Sequence, residues 1–474
     1  MPDSNQNKTI LNSKITSFNW SEFVNLEHAV IQGYFKAIEN ESDKDKKEIL
    51  KIGLRIIVDI TNFIYIDSGA KENRTKSQEF AFLTQKKETP FKPVMSYSAE
   101  LNKVSNLKLF LKCVKLFLLT NKKQAPNIFK KPTRVLLESF NYQSLKTFQN
   151  NGLIIPFSAK LFFRRKRHEV KNTSLIDELS KDLERKIRQT VQNKCGQIAY
   201  SYEGCSRLIK NYFEEISTAY FQFKSCKTPK KIVLGTHNKT FVRLLSSLVL
   251  QNEGEIISFA HGHTLQNKDD HKLWMDLILS STYYEYSESL AKELKEQIVN
   301  QTNLVPTNLE IKHLNNQFQI NPKMDNNFDL KKVKSVMVVG NAFRNQGFSS
   351  VTAFEPEVQA NIELTILKHF IQEGKDVHYK QHPGGVLKEE ITSKYQKVKN
   401  LKIVHEPFES IMNNYDLIVF YYTRTSTIKD ALLSDKNILL LDLGIEQLCP
   451  ISQNAIEKRC KIHTWDSLGP INIQ

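Results

Sequence analysis

The chain lacks any run of ~18 consecutive uncharged apolar residues, which argues against a membrane-spanning helix. Its opening stretch, MPDSNQNKTILNSK, is polar and has no apolar signal core, so secretion is not expected. The six cysteines, at positions 113, 195, 205, 226, 449 and 460, include no CxxC pair. They suit neither a zinc site nor a disulfide framework, and reduced thiols in a cytoplasm are the expectation. No RRM, KH or zinc-finger signature occurs, and basic residues do not interleave with aromatics, which disfavours a nucleic-acid partner. No DxD-like acidic motif stands out as a holder of a divalent metal.

What is present points to a large soluble α/β protein. A chain of 474 residues exceeds one ordinary core, so two or three domains are expected. A hydrophobic share of 40% beside 25% charged residues is that of a globular protein. The formal charge of +16 favours an anionic partner, but nucleic acid, anionic lipid and phosphorylated metabolites all qualify. The basic run FRRKRH, Phe163 to His168, keeps a nucleic-acid-binding protein as the alternative from another class.

LRIIVDITNFIYI, Leu54 to Ile66, fits either a buried strand or a helix. LKLFLKCVKLFLLTNKK, Leu107 to Lys123, places apolar residues at helical spacing with Lys108, Lys112 and Lys115 between them, a basic amphipathic helix. From Arg134 onward strands and helices alternate: RVLLESFN, QSLKTFQNNG, GLIIPFS, consecutive helices over 174–226, KKIVLGTHN, TFVRLLSSLVLQNEG, EIISFAHGHT and the strand LILSS. The stretch 174–226 reads only as consecutive helices from a Ser174 cap, with their number left open, and short connections of this kind imply right-handed crossovers and a parallel sheet. The Asn-rich stretch over 300–333 has no sustained periodicity and is expected to be a connection. Alternation then restarts with VKSVMVVGN, the helix EVQANIELTILKHFIQEG, DVHYKQHPGG, LKIVHEP, FESIMNNY, DLIVFYY, the turn TRTST, IKDALLSDK and NILLLDL. Ligands of such sheets sit beyond the carboxyl ends of the strands.

Three strand ends carry candidate chemistry. VHYKQHPGG presents Lys380 and His382, with Pro383 restricting the backbone and Gly384 and Gly385 permitting close approach to a ligand. TRTSTIKDAL puts Thr425, Ser426 and Thr427 at a helix start, where backbone N–H groups and the helix dipole receive an anion. An ordinary turn and an ordinary helix cap are the plain alternatives for these two. FAHGHT brings His261 and His263 to a third strand end, with Asp269, Asp270 and His271 following. That spacing matches no strong zinc template, so no metal site is expected, and a loop facing an interdomain cleft is favoured. Thr236 and His237 of LGTHN form a parallel cleft-facing pair on the neighbouring strand.

Two Rossmann-like halves, HG closing a strand in the first and HP closing one in the second, and a Ser/Thr turn before the last helix resemble a GT-B glycosyltransferase. More narrowly, KQHP resembles the HP motif of bacterial sialyl and Kdo transferases, which use CMP-activated acidic sugars in capsule and lipopolysaccharide synthesis. The resemblance spans roughly residues 230–445. It implies that His382 and Pro383 contact the nucleotide phosphate and that Thr425, Ser426 and Thr427 hold phosphate or the sugar carboxylate. Lys380, Gly384, Gly385, Gly340 and Asn341 complete the donor side in this reading. The paired-acid motif that supplies the general base in some members is not evident. A base on the opposite domain would be Glu138, His237, His261, Asp269 or Asp270.

The expectation is therefore an α/β fold of two Rossmann-like domains facing a cleft. An acceptor domain with extra N-terminal helices would occupy residues 1–300, a linker 301–333, a donor domain 334–450 and a C-terminal segment 451–474. The expected activity is metal-independent transfer of Kdo or a nonulosonic acid from a CMP donor to a surface-glycan precursor, with no cofactor. A UDP-sugar or CDP-glycerol donor is the close alternative. Partners would be the nucleotide-sugar and a glycan or glycolipid acceptor, in the cytoplasm or peripherally on the inner membrane.

Overall fold

The computed structural model describes residues 20–71, 105–121, 133–136, 139, 154–163, 173–260, 276–299, 304–314, 326–341, 356–382, 389–423, 425–444, 448–465 and 471. They form an α/β structure with two six-stranded sheets in which every strand pair is parallel.

The first sheet holds β1 (Thr133–Leu136), β2 (Ile154–Phe157), β3 (Lys231–Leu234), β4 (Glu255–Phe259), β5 (Thr282–Glu285) and β6 (Glu310–His313), in the order β2-β1-β3-β4-β5-β6. The second holds β7 (Ser335–Val339), β8 (Asp376–Lys380), β9 (Leu401–Val404), β10 (Leu417–Phe420), β11 (Asn437–Asp442) and β12 (Lys461–Thr464), in the order β12-β11-β10-β7-β8-β9. The second order reverses between β7 and β10. In doubly wound sheets that reversal opens a crevice at the carboxyl edge.

Strand periodicity sorts side chains between the two faces of each sheet. In the second sheet Val336, Val338, Val377, Tyr379, Leu417 and Val419 enter one core. Met337, Val339, Ile418 and Phe420, one residue out of step, enter the other. In the first sheet Ile232 and Leu234 face a large helical core, and Val233 faces the opposite side.

That helical core is built by α1 (Trp20–Glu39), α2 (Lys44–Ile52) and α3 (Ile56–Lys71), followed along the chain by α4 (Asn106–Asn121) on the other face and a short α5 (Ala159–Phe163). α6 (Thr173–Cys195), α7 (Tyr202–Phe223) and α8 (Thr240–Gln251) complete it. The ambiguous stretch Leu54 to Ile66 is helical, because Ile56, Ile57, Ile60 and Ile64 at helical spacing are all buried there. α1 and α6 cross closely at Gly33, where a Cβ would lie 2.7 Å from the Ile187 Cα. Arg243 of α8, fully buried, donates to the carbonyls of Lys51 and Ile52 at the end of α2, and burial pulls its pKa down to about 10.

The remaining helices are α9 (Glu288–Val299), α10 (Pro356–Gln372), α11 (Glu389–Gln396), α12 (Phe408–Ile411), α13 (Ser426–Leu433) and α14 (Pro450–Arg459).

Three local expectations change. The stretch expected to be the strand LILSS is a 3-10 turn at Leu277–Leu279, and the strand starts only at Thr282. The stretch expected to be an irregular connection contains edge strand β6, whose short alternating Glu-Ile-Lys-His leaves a weak periodic signal. The C-terminal segment contributes α14 and β12, so the second sheet extends past residue 450. The helix expected over QSLKTFQNNG lies outside the described residues.

Candidate functional site

Three adjacent strands, β10, β7 and β8, bring their carboxyl ends to the crevice of the second sheet. β7 delivers Gly340 and Asn341, β8 delivers Lys380, Gln381 and His382, and β10 runs into Tyr421, Tyr422 and Thr423 before α13 begins. Five of the expected donor-side positions, Gly340, Asn341, Lys380, His382 and Thr425, thus stand on neighbouring strand ends. Ser426 and Thr427 follow in the first turn of α13.

The β7 tip is held from below by a buried carboxylate. Glu363 of α10 has no exposed surface. One of its oxygens accepts from the Tyr379 and Tyr395 hydroxyls at 2.7 and 2.6 Å. The other accepts from the Asn341 backbone N–H at 3.1 Å, from Gln359 Nε2 at 3.0 Å and from the Tyr421 hydroxyl. Gln359 Nε2 also donates to the Asn341 carbonyl at 2.9 Å, and the Tyr422 hydroxyl donates to the Gly340 carbonyl at 3.0 Å. Burial pushes the Glu363 pKa up against the pull of these donors, and the same burial holds Tyr379 and Tyr421 well above the ordinary phenol value. Gly340 itself leaves no room for a side chain, since a Cβ there would lie 2.3 Å from the Tyr379 hydroxyl.

Around this tip the charges are sparse and specific. Lys380 is only 5% exposed; its ammonium donates to the Gln381 carbonyl at 2.8 Å, and burial lowers its pKa, opposed by Glu406 and Glu409. A lysine that has already surrendered most of its water loses little more on meeting an anion. His382 is partly exposed. Thr425 caps α13: its Oγ1 accepts from the Thr427 N–H at 3.4 Å and lies 2.8 Å from Thr427 Oγ1. Ser426 is exposed, so the first turn of the helix opens to solvent at its positive dipole end.

No protein-family model matches the chain, and no curated protein or solved structure matches it. The case for a site rests on geometry alone.

The carboxyl edge of the first sheet is stitched differently. Ser139, after β1, donates to the Thr236 carbonyl and accepts from the Thr236 N–H at 2.7 Å. The His237 N–H donates to Asp276 at 2.7 Å. The sequence places His237 at a cleft, yet it is fully buried, and its Nδ1 stands 3.6 Å from Asp276. Burial lowers its pKa, with Asp276 opposing. Thr236 beside it is also buried. Both therefore lie within this edge and do not face solvent.

Glu138, His261, His263, Asp269, Asp270, Pro383, Gly384 and Gly385 lie outside the described residues. Among the described residues no group of three or more His, Cys, Asp or Glu side chains is arranged to hold a metal ion. Sequence reasoning missed Glu363 and its three tyrosine partners, Tyr379, Tyr395 and Tyr421. A lone Glu inside an apolar helix stretch (IELTILKHF) was the available signal, and the tyrosines that meet it come from three separate positions along the chain.

Proposed function

We propose that the protein is a two-domain, GT-B-like glycosyltransferase whose nucleotide-sugar donor binds at the carboxyl edge of the second sheet. The observation that carries this reading is the convergence of a buried lysine, Lys380, a partly exposed histidine, His382, and the open first turn of α13 on neighbouring strand ends beside the β7–β10 reversal. Such a set suits a phosphate: a point charge, a directional donor and a row of backbone N–H groups. The Glu363 network gives the third wall a fixed backbone that a nucleotide can approach closely.

In the transfer step the bond between the anomeric carbon and the donor phosphate oxygen breaks, and the acceptor oxygen bonds to that carbon. The acceptor hydroxyl proton passes to a base on the opposite domain, and the charge left on the phosphate is met by His382, Lys380 and α13. Charge neutralised by these groups needs no divalent ion in the site. The donor proposed is CMP-linked Kdo or a nonulosonic acid, and the acceptor a surface-glycan precursor.

Thermal-shift titration with CMP, UDP, CDP and a short RNA tests the assignment. CMP is expected to raise the melting temperature most. A shift by UDP or CDP alone redirects the donor, and a shift by RNA alone replaces the transferase reading with nucleic-acid binding.

A further inference from the structure

Among the described residues, helix α4 carries a row of exposed apolar side chains. Leu109 is buried, and Leu116 packs against the core formed by Val135, Ile154, Val233, Ile257 and Phe259, so this side of the helix seats on the first sheet. At about 100° per residue, Leu107, Phe110, Leu111 and Val114 point away from that side, and Phe117 lies at its border. They are 67, 58, 54, 39 and 37% exposed, and they are five of the eight large hydrophobic residues exposed among the described ones. Single exposed apolar residues are ordinary, but a contiguous row on one helix marks a surface that is covered in use.

Charge decides what covers it. Lys108, Lys112 and Lys115 are exposed and fall together on one flank of the apolar row, and residues 106–121 contain no acidic side chain. A second copy of the chain would bring like rows of lysine together on molecules that each carry a formal +16. An anionic lipid surface suits both halves of the pattern, taking the apolar row among its acyl chains and the lysines among its headgroups. No helix among the described residues is long and apolar enough to cross a membrane, so contact would be lateral.

We infer that α4 is an in-plane membrane anchor that holds the protein on anionic bilayers through Leu107, Phe110, Leu111, Val114 and Phe117, with Lys108, Lys112 and Lys115 at the headgroups. This stands apart from the nucleotide-site reading and holds whatever the second sheet binds.

Co-sedimentation of the full chain with phosphatidylcholine vesicles, with and without phosphatidylglycerol, tests it. The protein is expected to pellet with the phosphatidylglycerol vesicles, weakly with phosphatidylcholine alone, and less as salt is raised. Lys108→Gln/Lys112→Gln/Lys115→Gln should lower partitioning about a hundredfold, each lysine being worth about a factor of five. Phe110→Ser/Leu111→Ser should abolish pelleting while leaving the melting temperature in place, since both side chains are solvent-facing. The inference is overturned if the wild-type chain stays in the supernatant with both vesicle types, or if both variants pellet like the wild type. It is equally overturned if the chain sediments as a dimer that Phe110→Ser/Leu111→Ser dissociates.

Discussion

The ammonium of Lys429, in α13 of the second sheet's unit, sits 3.7 Å from the ring centroid of Tyr286, which follows β5 of the first. Both residues are buried, at 8% exposure each, and burial lowers the Lys429 pKa. A desolvated cation over an aromatic face is a strong contact of its class. Lys429 lies one turn into the helix whose first residues form one wall of the candidate site, so this contact links that wall to the first sheet's unit.

A double-mutant cycle measures that link. Lys429→Met and Tyr286→Leu, alone and together, should give a coupling of about 1–2 kcal/mol in urea unfolding. Strictly additive losses would mean that the two groups merely lie side by side.

The donor-site reading makes a kinetic prediction. His382→Ala should cut turnover by about 10²–10³, the loss of ~3–4 kcal/mol for one donor to a developing oxyanion. Its melting temperature should stay close to wild type, because His382 is partly exposed. A variant with full activity, or one that unfolds, would make KQHP a structural turn.

Metal removal probes the same site from another side. With phosphate charge met by Lys380, His382 and α13, transfer should survive EDTA. Strict dependence on Mg²⁺ or Mn²⁺ would instead call for a carboxylate-held ion.

His237 predicts a pH dependence of stability. Its folded pKa lies below the ordinary 6.5 because burial disfavours the charged ring. The unfolded chain therefore binds a proton that the folded one does not as pH falls below that value. Stability should be full above it and lost on acidification, with a slope approaching ~1.4 kcal/mol per pH unit until the folded ring titrates. His237→Gln should flatten that slope in unfolding curves recorded at a series of pH values, and an unchanged slope would assign the acid sensitivity to other groups.

Gly340 offers a steric test. Gly340→Ala must displace Tyr379, whose hydroxyl is held by Glu363, and should cost about 1–3 kcal/mol of stability. It should also weaken nucleotide binding by shifting the β7 tip. A variant as stable as wild type would show that the tip is free to move.

Period-two and period-3.6 patterning determined much of the α/β character from the sequence. The strands VKSVMVV, DVHYK and DLIVF are bounded by turn residues, and their alternating side chains feed two cores, one on each face of the sheet. The same local signals placed Lys380, His382 and Thr425 at strand ends. The strand order that brings those ends together is a long-range property, and no local pattern states that β7 lies between β10 and β8. Weak alternation hid β6 and β12 at the sheet edges, where half-exposed strands carry mixed residues. Glu363 stayed invisible for the same kind of reason, since its partners Tyr379, Tyr395 and Tyr421 stand 16, 32 and 58 positions away. The sequence made α4 an amphipathic helix, but only packing decided which of its apolar residues the first sheet covers and which it leaves to solvent.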